Sequence, residues 1–554
     1  MLTRTARLPA HQRRSWKIGG VAHMEPGVQR TTRRQLLSAI GLVGGSAALY
    51  NAMASLGHAA ESQFSGPPQL SGGAKGQSVI VLGAGLAGML AAYELDKAGY
   101  KVRILEYQNR AGGRNWSLRG GDTYTELGGA TQKVGFTQGN YLNPGPWRIP
   151  HHHRTLLHYC KQFGVSLEPF IQFNHNAYIH STDAFGGKPK RYREVAADFE
   201  GNIAELLGKA INQKALDAEL TAEDRERLIE ALQGWGMLDK DLRYVTGLKS
   251  SGHRGYDRPP GGGVNGAPIP SQLTNSFHDL LDPQVWANMA FFMNHEMQTT
   301  MFQPVGGMDM IGRGFARQVQ QLIAYNAKVT KIAQDASGVA VTYQDTAAGA
   351  VNVAKADWCV CTIPLSILSQ VDTQVSPQMK AAIRAVPYTG QVKIGLEFRR
   401  RFWEEDDAIY GGHSFTNQEI GLVSYPNYDF FKDGPAIMLG AFARDMGGYH
   451  LAGMTPEQRI ETALAQGSVF HPEQYRKEFM SGASVAWSRV PWTLGCCARW
   501  NEDTRAEHYQ TLVAMDRRIV LAGEHASYIG CWMEGALLSS IDAITRLHKR
   551  AQEA

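Results

Sequence analysis

The apolar positions of the chain change rhythm several times. Ser78-Val79-Ile80-Val81-Leu82 is an unbroken β-branched run, the pattern of a strand buried on both faces. Met89 to Ala98 then takes helical spacing and stops at Gly99, and Lys101-Val102-Arg103-Ile104-Leu105 returns to strand. From Phe199 to Leu238, residues such as Ile203, Leu206, Leu207, Ile211, Leu228, Ile229 and Leu232 predict amphipathic helices. Gln391 to Phe398 and Ala436 to Phe442 predict strands of a large second sheet. Gly255 to Pro268, with Pro259-Pro260-Gly261-Gly262-Gly263, reads as a long loop among the helices.

Length and charge narrow the picture. At 554 residues the chain exceeds one core and calls for two or three subdomains. A net charge of +5 is too dilute for a nucleic-acid partner, and no run of five basic residues occurs. The six cysteines are too sparse for a disulfide scaffold and read as small buried hydrophobes. Neither Cys359-x-Cys361 nor Cys496-Cys497 has a zinc spacing, and no metal site is predicted.

The first 60 residues read as an address. Thr32-Arg33-Arg34-Gln35-Leu36-Leu37 is a twin-arginine pattern, followed by a Gly/Ala/Ser-rich run to Leu56 and a small-residue cleavage region at His58-Ala59-Ala60. Met1 and Met24 both stand open as the start. This predicts export of a folded protein by the twin-arginine machinery, to the periplasm or beyond. The run is too poor in bulky side chains for a stable membrane anchor. Residues 61–76 read as a linker.

The clearest chemistry follows the first strand. Gly83-Ala84-Gly85-Leu86-Ala87-Gly88 opens the helix of a strand–helix–strand unit. Gly83 permits the turn, Gly85 lets backbone approach a pyrophosphate, and Gly88 lets the helix pack on the strand. The helix N-terminus offers free N–H groups to phosphate. Glu106, at the end of the second strand, fits the acid that accepts from ribose hydroxyls. Next, Arg110-Ala111-Gly112-Gly113-Arg114 resembles the second glycine motif of the flavin amine oxidases and glutathione-reductase-like flavoproteins. That resemblance implies FAD, with Arg114 neutralising phosphate charge.

The resemblance to flavin amine oxidases continues in order to the C-terminus, closest in motif to bacterial L-amino-acid oxidases. Glu126-Leu127-Gly128-Gly129-Ala130-Thr131 resembles the segment beside the flavin ring, and Gln303 to Asp309 a Pro-x-Gly-Gly-Met turn. Lys328 to Ile332 resembles the strand whose backbone meets the adenine at Val329. Trp358 to Pro364 resembles the strand leaving the FAD domain. Gly523-Glu524 lies in a closing flavin motif, and Cys531-Trp532-Met533-Glu534-Gly535-Ala536 in the turn that starts a final helix under the flavin. The implied fold is α/β: a glutathione-reductase-like FAD-binding Rossmann domain with a mixed-sheet substrate domain and a helical insert. Its FAD-binding parts are expected at 77–180, with a substrate-site loop at 131–150, at 299–364 and at 491–554. The insert is expected at 181–298 and the substrate domain at 365–490.

The resemblance also implies a catalytic set. Trp147-Arg148-Ile149-Pro150, followed by His153, resembles a segment whose arginine clamps the substrate carboxylate, although Gln132 to Pro146 look inserted before it. Ser424-Tyr425-Pro426 implies a second hydrogen bond to that carboxylate, from Tyr425. Trp532 implies an aromatic wall, and Lys393 a cation that holds water near the flavin and assists reaction with O₂. The reaction so implied takes an L-amino acid, water and O₂ to a 2-oxo acid, ammonia and H₂O₂. Alternatives are a decarboxylating amino-acid 2-monooxygenase, which would share Arg148 and Lys393, and a monoamine or polyamine oxidase, which would not need the arginine. A homodimer is expected.

Overall fold

In the computed structural model, residues 64–74 and 76–553 are described. The leader expected over residues 1–60 lies outside the described residues. The first apolar run forms the strand Ser78–Leu82. It is the middle of a five-stranded parallel sheet, ordered Ile323–Ala324, Lys101–Leu105, Ser78–Leu82, Trp358–Cys361 and Ile519–Leu521. These strands come from three distant stretches of sequence, so this half closes only when the chain returns to it.

The helix Leu86–Lys97 covers one face of that sheet. Leu86, Met89, Leu90, Ala91 and Leu95 are all buried, because the terminal helix Met533–Glu553 packs beside it against the same sheet. A helix buried on two sides keeps no polar stripe, hence its weak amphipathicity. Gly88 permits the close approach, since a Cβ there would stand 2.0 Å from the Gly83 carbonyl oxygen.

The second large sheet has seven strands. Val392–Phe398 is buried at every position and pairs antiparallel with Ala436–Ala443 and Phe479–Ala486. Tyr178–His180 pairs parallel with His413–Thr416, which makes the sheet mixed. The amphipathic stretch forms the helices Tyr192–Asn212 and Ala222–Trp235, the latter opened by a Thr221/Asp224 capping box. Ala204, Ile211 and Leu232 form their shared core.

Two sequence expectations are corrected. The segment read as a linker is docked along residues 64–74. The Ser71 carbonyl accepts from His548 Nε2 at 2.7 Å, the Gly73 carbonyl accepts from Gln552 Nε2 at 2.6 Å, and Leu70 packs into the core. The cysteines divide in two. Cys160, Cys359 and Cys361 are buried free thiols and Cys496 a half-buried one, whereas Cys497 and Cys531 form a disulfide. Thirty-four residues separate that pair in sequence, so nothing local announces it.

Candidate active site

One cavity of about 870 Å³ runs between the two sheets and under the helical region. At one end its wall is the glycine turn. Gly83, Gly85, Gly113 and Val329 line it, as do Gly523, Met533 and Ala536. Ala84 and Gly88 lie just beneath and shape the turn. The Ala84 N–H donates to Glu106 Oε2 at 2.6 Å, and the Gln108 N–H donates to Oε1 at 2.7 Å. Burial pushes the Glu106 carboxyl up, and those backbone hydrogen bonds oppose it. A Cβ on Gly85 would meet no protein atom within 4 Å, while one on Gly113 would stand 3.2 Å from Gly85 Cα. Two glycine turns thus face each other across open space at a helix N-terminus, a cradle that fits a pyrophosphate. Arg114 also lines the cavity, where its Nη1 donates to Glu524 Oε1 at 2.9 Å.

Glu524 organises the neighbouring wall. It accepts from the Ala498 N–H at 3.1 Å and the Cys531 N–H at 3.2 Å. The Cys497–Cys531 disulfide ties the same two segments covalently. Glu534, in the first turn of the terminal helix, accepts from the N–H groups of Thr155 and Leu156, both at 2.9 Å. Those are unpaired donors in the first turn of the helix Arg154–Gln162. The contact fixes the chain around Arg148 to the chain around Trp532.

At the other end the cavity is aromatic and cationic. Arg148 lies 7% exposed, its Cζ 4.9 Å from the Trp147 ring centroid and 6.0 Å from that of Trp532. Its Nη2 donates to Met297 Sδ at 2.9 Å, but Nε and Nη1 are buried without a hydrogen-bond partner. Burial, reinforced by Arg444, pushes this guanidinium down to about 9, against the pull of Glu296. Lys393 Nζ donates to the Gly145 carbonyl and stands 3.9 Å from the Trp147 centroid. Burial drives its ammonium well below the usual lysine range.

The structure brings together Arg148, Lys393 and Trp532 with the cofactor-end residues, and separates four others from them. Gly129, Ala130 and Thr131 do not line the cavity. They sit on the hairpin Thr123–Thr125/Thr131–Lys133, whose Gly128 and Gly129 have φ of +97° and +91° and turn it outward. Its buried carboxylate is Glu126, paired with Arg459 at 3.0 and 3.1 Å. The wall expected from that segment is built instead by Gly145, Pro146 and Trp147, as the inserted loop returns. Tyr425 is the other correction. Its hydroxyl contacts Ser414 Oγ at 2.8 Å and His471 Nε2 at 3.0 Å, in the core behind the sheet. Strand alternation explains this, because Leu422 faces Trp147 and Phe415, so Val423 and Tyr425 face the opposite side.

Sequence reasoning also missed residues. Glu296, from the helical region, lines the cavity and takes His152 Nε2 and His153 Nε2 on one oxygen, each at 3.1 Å. Burial alone would raise its carboxyl, but the two imidazoles hold it down at about 2. The three donor atoms lie within 4.8 Å of one another. His153 in turn packs edge-on against Trp532 at 5.0 Å. Arg444 and Phe442 were likewise not singled out, since nothing in the sequence shows that they face Arg148.

Comparison with known proteins agrees with this geometry. The family described as flavin containing amine oxidoreductase matches residues 86–547. The chain is 27% identical to the Bacillus subtilis protein YobN, over 84% of this chain and 93% of that one. An L-amino-acid oxidase of Siganus canaliculatus is 27% identical, over 85% of each chain. Among solved structures, a single-site variant of putrescine oxidase, made to redesign its cofactor binding, superposes with a TM-score of 0.53 at 18% identity, covering 86% of this chain and 98% of that one.

Proposed function

The chain belongs to the flavin-containing amine oxidoreductase family, and from that premise we propose that it deaminates L-amino acids to 2-oxo acids, releasing ammonia and hydrogen peroxide. FAD is the cofactor, and bound there it supplies the two-electron acceptor and the route to O₂. The observation that carries the amino-acid reading is Arg148. A buried guanidinium with Nε and Nη1 unpaired, in the cavity shared with the glycine turns, asks for an anion with two oxygens. A substrate α-carboxylate answers that demand, and a plain amine does not. Relatives named L-amino-acid oxidase support the same reading.

Each residue then has a task. Arg148 anchors the carboxylate and so fixes where the α-carbon stands. Trp147 and Trp532 flank that guanidinium and exclude water from it. Lys393, held on the Gly145 carbonyl, positions water beside the ring system and answers negative charge that develops there. Glu534 and the disulfide keep these walls in register.

The test is anaerobic mixing of the yellow holoenzyme with each common L-amino acid. Bleaching of the flavin, followed in air by stoichiometric peroxide and a 2-oxo acid, is expected. An amide product would move the protein to the decarboxylating monooxygenases, and amines bleaching the flavin where amino acids do not would make it an amine oxidase. Export through the twin-arginine pattern at Thr32 to Leu37 belongs to the same proposal. N-terminal sequencing of the exported protein checks it, and a chain retained in the cytoplasm would refute it.

A further inference from the structure

An α-carboxylate on Arg148 accounts for one cation of the cavity and leaves another unanswered. Arg444 follows the strand Ala436–Ala443. Phe442 lines the cavity and Ala443 belongs to the core behind the sheet, so alternation returns Arg444 to the cavity side, which it lines. Its Cζ stands 5.3 Å from the Phe442 ring centroid. The Phe442 ring is 4.9 Å from the Trp147 ring, against which Arg148 packs from its own side at 4.9 Å. Two guanidiniums therefore flank one aromatic pair across a single cavity.

Among the described residues Arg444 has no counter-ion in place. Its side chain makes no hydrogen bond and no ion pair within 4 Å there, and it is exposed. It lines the cavity, where the surrounding protein lowers the guanidinium. Asp445, the next residue, opposes the shift, and Arg499, which also lines the cavity, adds to it. The remaining carboxylate at this end, Glu296, already holds two imidazoles. The substrate end thus carries an excess of positive charge, to which the exposed Arg444 contributes a donor beside the Phe442 ring.

Given the amino-acid oxidation proposed above, on which this step rests, we infer that Arg444 selects substrates with an anionic side chain. These are dicarboxylic L-amino acids, with the α-carboxylate on Arg148 and the distal carboxylate on Arg444. A site built to pair a charged oxygen discriminates strongly against the isostere that lacks the charge. Lysine and arginine substrates would meet like charge. Because Arg444 opens onto water in the cavity, the preference for L-glutamate over L-glutamine is set at about tenfold or more in kcat/KM, shrinking as salt rises.

The experiment compares L-glutamate, L-aspartate, L-glutamine and L-lysine on the holoenzyme, by peroxide release and by anaerobic flavin reduction. Wild type, Arg444→Gln and Arg444→Lys are run side by side. A dicarboxylic substrate is expected to exceed L-glutamine about tenfold or more. Arg444→Gln should collapse that ratio mainly through KM, and Arg444→Lys should restore part of it. L-glutamine or L-lysine used as well as the dicarboxylic pair by wild type would overturn the inference while leaving amino-acid oxidation standing. So would an unchanged ratio in Arg444→Gln. Failure of every amino acid to reduce the flavin would instead remove the oxidase reading itself.

Discussion

Arg148→Met is the sharpest perturbation, because activity and stability should move in opposite directions. In the wild-type cavity, Nε and Nη1 are buried and unpaired, and burial is the largest influence on the guanidinium. Each such donor costs about 1–3 kcal/mol while it stays unanswered. Removing the guanidinium removes that cost and leaves an apolar chain among Trp147, Phe291 and Trp532. The unliganded variant should therefore melt at the wild-type temperature or above it. The substrate fares worse, since a carboxylate taken into this cavity without its cation forfeits about 3–5 kcal/mol. At about 1.4 kcal/mol per decade, kcat/KM should fall by about 10²- to 4 × 10³-fold, carried mostly by KM. Amino-acid amides, which bring no carboxylate, should be affected far less. Stopped-flow flavin reduction over a substrate range measures the first effect, and thermal melting without substrate the second. An unchanged KM would place the clamp elsewhere, and a melting temperature lowered by several degrees would make Arg148 a structural residue.

The glycine turn separates cofactor contact from folding. Gly85→Ala meets no protein atom within 4 Å, so it should fold normally yet weaken FAD binding. Gly88→Ala meets the Gly83 carbonyl oxygen at 2.0 Å and should fail to fold; the two variants behaving alike would refute this division. Thiol titration of the denatured protein without reductant should find four free cysteines, rising to six after reduction. Chain entropy for the 34-residue span predicts that Cys497→Ser with Cys531→Ser costs about 4 kcal/mol, read as a lower melting temperature. Arg459→Met strands the fully buried Glu126 carboxylate and should cost about 3–5 kcal/mol. Pairing it with Glu126→Gln should recover much of that loss, and equal melting of single and double variants would show that the pair is not what matters.

The cofactor end was legible because its chemistry is local. The strand Ser78–Leu82, the three glycines and the helix that follows lie within about twenty residues, and backbone geometry alone dictates the glycines. In the structure Gly83 has a positive φ, a Cβ on Gly85 would meet no protein atom within 4 Å, and a Cβ on Gly88 would strike the Gly83 carbonyl oxygen. Val329, Glu524 and Ala536 were reached only through resemblance, because nothing in a short window shows which distant strand closes a sheet.

The substrate end resisted for a different reason: its residues are chosen by parity and by loop return. Tyr425 stands one position from the residue that faces the cavity, and a single step along a strand exchanges cavity for core. The segment Glu126 to Thr131 carries a motif-like glycine pair, yet the same pair makes a surface hairpin once Glu126 is anchored by Arg459. The loop it was expected to supply comes from Gly145 to Arg148 instead. Glu296 reaches His152 and His153 across more than 140 residues, and Arg444 faces Arg148 only because two strands and an aromatic pair set their separation. A substrate pocket assembled from strand ends and an insert can change its charge by single substitutions while the cofactor cradle stays fixed. The cradle therefore announces the chemistry, and under the proposed amino-acid reading the charges around Arg148 and Arg444 would decide which side chain reaches it.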